Sequence, residues 1–131
     1  MVSVREACAT YTSVTKSPVP GQGYTGGGVE VDANGAPGAV RALDALTGGV
    51  KWNFPLQTGA SSTGVVATAG GVTFASSNDG NLIALDSRTG KYLWHYYTGA
   101  RIVASPMAYA VNGKQYVAIA GQSAIFVFAL P

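Results

Sequence analysis

Charged residues are scarce: they make up 11% of the 131 positions, against roughly 25% in an average soluble domain. The eight basic residues, Arg5, Lys16, Arg41, Lys51, Arg88, Lys91, Arg101 and Lys114, are scattered along the chain, and the net charge is +2. Without a run of one sign there is no electrostatic footprint for nucleic acid or an anionic membrane surface. One cysteine, Cys8, excludes an internal disulfide and leaves the redox compartment open; a small buried hydrophobe is its expected role. One histidine, His95, has no cysteine or second histidine at metal-ligand spacing, so it is expected on a strand surface. No stretch reaches the roughly 18 consecutive apolar residues of a spanning helix. Met1 to Tyr11 also lacks a basic segment followed by an apolar core, so neither anchor nor export signal is expected. Sustained 3.6-residue periodicity is missing too, because glycines interrupt every candidate helical window.

What the chain does have is 18 glycines, 47% hydrophobic residues and a mean hydropathy of +0.22. That composition excludes a disordered polymer and predicts a buried core made of short strands and tight turns, hence an all-β fold.

The strands recur. Gly38 to Trp52 aligns with Gly80 to Trp94, an offset of 42 residues, and the same offset carries Gly71-Val72-Thr73-Phe74 onto Gly113-Lys114-Gln115-Tyr116. A period of about 40 to 45 residues is what four antiparallel strands and their turns occupy in one propeller blade. The expected architecture is a partial β-propeller of about three four-stranded blades. Residues 1–37 are read as an opening strand (Val2 to Tyr11) and an irregular loop (Thr15 to Pro37), residues 38–79 and 80–121 as repeat units, and residues 122–131 as a closing strand.

Each repeat has a physical logic. Ala42-x-Asp44 and Ala84-x-Asp86 end a strand, and the carboxylate can accept backbone N–H groups of the following turn. Thr47-Gly48 and Thr89-Gly90 complete that turn, with glycine supplying a positive φ. Trp52 and Trp94 then come on the next strand, each large enough to anchor one blade against its neighbour, while Ala42 and Ala84 leave room. Asp44 and Asp86 therefore read as turn formers rather than a catalytic carboxylate pair. Asn112-Gly113 signals a type I′ hairpin, and Asn78-Asp79-Gly80-Asn81 a hairpin turn rather than a calcium loop, since it lacks alternating acidic ligands. Gly26-Gly27-Gly28 lacks the residues of a phosphate-binding loop and is read as a flexible loop. Ser61, Ser62 and Ser105 lack a nucleophile elbow. No catalytic or metal-ligating residue is assigned.

The doubled Ala-x-Asp-x-x-Thr-Gly-x-x-x-Trp pattern resembles the tryptophan-docking motif of PQQ-dependent (quinoprotein) alcohol dehydrogenases. Ala67-Thr68-Ala69-Gly70-Gly71, Ala104-Ser105-Pro106 and Gly113-Lys114-Gln115-Tyr116-Val117-Ala118 are similar to segments near the C-terminus of those enzymes. Arg5 to Tyr11 is similar to a strand opening a late blade, where a cysteine is common. The resemblance implies an eight-bladed periplasmic propeller that holds PQQ and calcium on its axis and oxidises alcohols or related polyols and aldehydes. The family's catalytic aspartate and most calcium ligands lie upstream of this stretch, so none is carried over. Ser62 stands where methanol-oxidising members have a tryptophan, and Gly121-Gln122-Ser123-Ala124 departs from a Gly-Gly-Trp-like stretch, which weakens a methanol-specific reading.

The chain is thus expected to be a C-terminal fragment supplying propeller wall, with neither PQQ nor calcium held tightly by the chain alone. Its partners are expected to be the remaining blades or further copies of itself, because open blade faces tend to associate. The alternative is a non-catalytic propeller of the same repeats that serves as a protein-binding scaffold.

Overall fold

The computed structural model describes residues 1–31, 38–57 and 63–129, and the regular structure there is all β, with antiparallel pairing throughout. In chain order the strands are β1 (Val2–Arg5), β2 (Ala9–Ser13), β3 (Gly27–Val31), β4 (Gly38–Leu43), β5 (Val50–Leu56) and β6 (Val66–Ala67). They continue as β7 (Val72–Ser76), β8 (Asn81–Asp86), β9 (Tyr92–Tyr97), β10 (Met107–Val111), β11 (Lys114–Ala120) and β12 (Ile125–Ala129). Three successive sheets result, ordered β1-β4-β5, β6-β7-β8-β9 and β10-β11-β12, with β2 and β3 forming a separate hairpin.

Only the middle sheet has four strands; the sheets on either side have three among the described residues. Three four-stranded blades would require every residue to belong to a blade. Glu6–Ala36 instead form a compact unit of their own, inserted between two strands that pair directly, β1 and β4. The opening segment is accordingly not one strand: β1 joins the first sheet and β2 pairs with β3. The segment read as an irregular loop contains β3, and Gly27-Gly28 begin that strand rather than a flexible loop. The reason is cross-strand pairing, in which Tyr11 faces Val29 and Ala9 faces Val31.

The repeat boundary also shifts. A sequence period has no phase of its own, and a cut between residues 79 and 80 falls inside the turn joining β7 to β8. That turn is closed by Ser77 N–H to the Asn81 carbonyl (3.0 Å) and Gly80 N–H to the Ser77 carbonyl (3.1 Å). The β10–β11 hairpin follows its sequence closely: Asn112 and Gly113 have φ of 51° and 78°, the positive pair that a type I′ turn requires. Leu130 and Pro131, at the end of the closing strand read from sequence, lie outside the described residues.

Strands β7 and β8 of the middle sheet are buried on both faces. Ala75, Ile83 and Leu85 meet Val40, Ala42, Trp52 and Leu56 of the first sheet. From the opposite face Leu82 and Phe74 meet Val117, Ile119, Phe126 and Phe128 of the third sheet, together with Ile102. Alternate side chains of one strand thus serve two different cores, which is how period-2 geometry stacks sheets in series. Adding an apolar group to either interface contributes roughly 25 cal/mol per Å² removed from water.

Candidate functional site

Two equivalent turns carry the sequence motifs. Asp44 accepts the backbone N–H groups of Leu46 (3.0 Å) and Thr47 (3.1 Å), and Asp86 accepts those of Arg88 (3.1 Å) and Thr89 (2.7 Å). Gly48 and Gly90 both sit at φ 71° and donate to the carbonyls of Asp44 (2.9 Å) and Asp86 (2.8 Å). Both carboxyls are held below their ordinary value. For Asp44 the main cause is Lys51, whose Nζ lies 3.0 Å away, followed by the turn amides. For Asp86 it is the Thr89 hydroxyl at 2.7 Å, followed by the Thr89 amide. An ionised acceptor bonded to local amides closes the turn and has no proton to offer near neutral pH.

The strands leaving the turns are bulged alike. Ala42 pairs with Trp52 and Leu43 with Val50, while Ala84 pairs with Trp94 and Leu85 with Tyr92. The small alanine lies opposite the indole in both sheets. The two tryptophans then part. Trp52 is 8% exposed; its indole N–H donates to the Ser87 carbonyl (3.0 Å), and its ring fills the space where a Gly90 Cβ would stand, 2.6 Å from Cδ2 and Cε3. The first repeat's tryptophan therefore joins the second repeat's turn. Trp94 is 39% exposed and meets Phe128 edge-on, with ring centroids 5.4 Å apart. Sequence could not single out Ser87, because its contribution is a backbone carbonyl; its hydroxyl lies 2.7 Å from that of Thr73.

The remaining candidates fall into structural places. Ser105 Oγ accepts the Gly64 N–H at 2.7 Å. His95 lies on the exposed strand β9 with Nδ1 on the Tyr92 hydroxyl. Asp79 accepts the Ser77 hydroxyl in the β7–β8 turn. Ser61 and Ser62 lie outside the described residues. Cys8 is exposed, contrary to its expected burial, because it falls between β1 and β2 rather than inside a sheet.

A groove of about 320 Å³ is lined by residues of the first and middle sheets, Phe54 and Leu56 from β5 and Ile83, Tyr92 and His95 from β8 and β9, together with Asp79 and Asn81. Its lining offers a carboxylate and no lysine or arginine. PQQ is a planar tricarboxylate and would meet no complementary charge there. Among the described residues no group of three or more His, Cys, Asp or Glu side chains is placed to hold a metal ion. This groove does not fit a PQQ–metal pair.

Serial antiparallel sheets, bulged after a repeated Asp-Thr-Gly turn and joined by an indole to the next turn, define a β-propeller segment. Residues 54–117 match the family model described as "Glucose/ethanol/alcohol dehydrogenase, beta-propeller domain". A lanthanide-dependent methanol dehydrogenase of Methylorubrum extorquens is 36% identical over 122 residues, covering 90% of this chain and 20% of that protein. A quinoprotein ethanol dehydrogenase of Pseudomonas aeruginosa is 37% identical over 86 residues, covering 63% of this chain and 13% of that protein. The solved structure of a europium-containing methanol dehydrogenase superposes with a TM-score of 0.79 at 31% identity, over 89% of this chain and 22% of that one. The chain belongs to the PQQ-dependent alcohol dehydrogenase family of β-propellers. It spans about a fifth of the length of the first of these relatives.

Proposed function

We propose that the chain is a late, C-terminal stretch of a PQQ-dependent dehydrogenase that oxidises alcohols or related polyols and aldehydes in the periplasm. It supplies propeller wall, while the quinone and its metal are held by residues elsewhere in the ring. The observation that carries this reading is the Trp52 junction, in which the first repeat is locked to the second through Ser87 and Gly90. The motif residues are spent on turns, on that junction and, for Trp94, on an edge contact with Phe128, and the groove has the wrong charge for the cofactor. Relatives named for methanol and for ethanol both match, and two are named for a lanthanide metal, so neither one alcohol nor calcium is favoured.

The test is equilibrium dialysis of the purified chain against PQQ with calcium or lanthanum, followed by a dye-linked assay with methanol and ethanol. The chain alone is expected to retain no stoichiometric PQQ and to reduce no dye. Within a propeller restored by its upstream blades, both properties are expected. Stoichiometric PQQ on the chain alone would overturn the wall assignment. A restored propeller that binds no PQQ would overturn the dehydrogenase reading.

A further inference from the structure

The dipeptide Asn112-Gly113 closes the β10–β11 hairpin, and it carries a chemistry that the wall function does not use. Residues 111–115 are exposed. Asn112 has φ 51° and is, among the described residues, the one residue other than glycine with a positive φ; its short polar side chain makes that region accessible. Gly113 follows at φ 78°, and nothing stands within 4 Å of a Cβ built on it. A following residue with a side chain would obstruct the approach of the Asn112 side-chain carbonyl carbon to the next main-chain nitrogen, and glycine does not. β10 is an edge strand of the third sheet, so the tip of this hairpin can open locally without disturbing the core.

The turn at Asp79-Gly80 shows what this site lacks. There the Gly80 N–H donates to the Ser77 carbonyl (3.1 Å), the Gly80 carbonyl accepts the Thr98 N–H (2.9 Å), and a Cβ on Gly80 would stand 2.5 Å from the Ala100 carbonyl oxygen. Asn53, Asn78 and Asn81 are each followed by a residue with a side chain, and Asn34-Gly35 lies outside the described residues. We propose that Asn112 is a site of spontaneous deamidation that rebuilds the hairpin turn. The Gly113 nitrogen, on giving its proton to solvent base, attacks Asn112 Cγ; the N–Cγ bond forms, the Cγ–Nδ2 bond breaks, and the side-chain nitrogen leaves as ammonia. The resulting five-membered imide takes up one water. Opening at Cγ gives an aspartyl residue, and opening at the main-chain carbonyl carbon of position 112 gives an isoaspartyl residue, whose main chain runs through Cβ and Cγ. Either product lowers the net charge of +2 by one. The isoaspartyl form also lengthens a two-residue loop by one main-chain carbon, and loop length sets hairpin register, so Val111 and Lys114 no longer pair as they do here. The proposal is independent of the dehydrogenase reading.

The test is incubation of the purified, folded chain in mildly alkaline H₂¹⁸O buffer, followed by trypsin digestion and mass spectrometry against a sample digested at the start. Cleavage after Arg101 and Lys114 isolates residues 102–114, in which Asn112 is the only asparagine. In this peptide the side-chain NH₂ is expected to be replaced by ¹⁸O-labelled hydroxyl, with aspartyl and isoaspartyl forms separating on chromatography and the rate rising with pH. The peptide of residues 52–88, which carries Asn53, Asn78 and Asn81, is expected to remain unconverted over the same time. The converted chain is expected to lose hydrogen-exchange protection in β10 and β11 that the Asn112→Asp variant, with the same charge on an ordinary main chain, retains. An unconverted 102–114 peptide, an aspartyl product alone, conversion of the 52–88 peptide at the same rate, or exchange no faster than in Asn112→Asp would each overturn the proposal.

Discussion

At the residue scale, two glycines with the same φ of 71° have different neighbours. Nothing stands within 4 Å of a Cβ built on Gly48, whereas one on Gly90 runs into the Trp52 ring at 2.6 Å. Gly48→Ala is therefore expected to lower stability by about 1 to 2 kcal/mol, the cost of left-handed backbone for a residue with a Cβ. Gly90→Ala is expected to cost clearly more, because the indole must also move. Urea unfolding at matched protein concentration distinguishes the two, and equal losses would contradict the junction. In the same way Trp52→Ala should cost about 3 to 5 kcal/mol and Trp94→Ala markedly less, since Trp94 leaves 39% of its surface in water. The motif made these residues legible as a set in the sequence. It could not tell the two tryptophans apart, because they differ only in the neighbouring element that each ring meets in space.

The aspartates add a pH dependence at the same scale. Both carboxyls sit below their ordinary value in the folded chain, so as pH falls the unfolded chain takes up protons first. The stability they contribute is complete above about pH 4, near the unperturbed carboxylate value, and is lost as pH drops through the lowered folded values. The paired variant Asp44→Asn with Asp86→Asn is expected to show a flatter decline between neutral pH and pH 3 in thermal melts. An unchanged slope would show that these turns carry no such linkage.

At the scale of elements, hairpins and strand identities were the most legible features. Turn chemistry is local: Asn112-Gly113 dictates a positive-φ pair whatever surrounds it, and Gly71 takes φ 80° in the turn between β6 and β7. Asn112→Val places a β-branched residue at φ 51° and is expected to cost about 1 to 2 kcal/mol, with the loss of protection confined to β10 and β11 in hydrogen exchange. What sequence did not reveal was pairing at a distance. β1 and β4 are neighbours with the whole Glu6–Ala36 unit inserted between them, and no local signal states that a strand will skip the next two to find its partner. The groove was illegible for the same reason, since Phe54 and Tyr92 are 38 positions apart and meet only through the packing of two sheets.

At the scale of the whole molecule, the central strands β7 and β8 are covered on both faces, while the outer strand β9 and parts of the third sheet are exposed. Apolar side chains stand exposed on the third sheet, among them Ile125 (74%), Met107 (57%) and Val127 (50%). In a ring such surface lies against the next blade, and in an isolated wedge it favours association. On this reading the sheets are wall elements meant for neighbours. The absolute mass of the purified chain, measured by light scattering across a dilution series, decides it. A mass well above the 13.3 kDa of one chain, persisting on dilution, is expected. A monomer at every concentration, with native strand content by circular dichroism, would contradict the wall assignment and make the chain a self-sufficient domain.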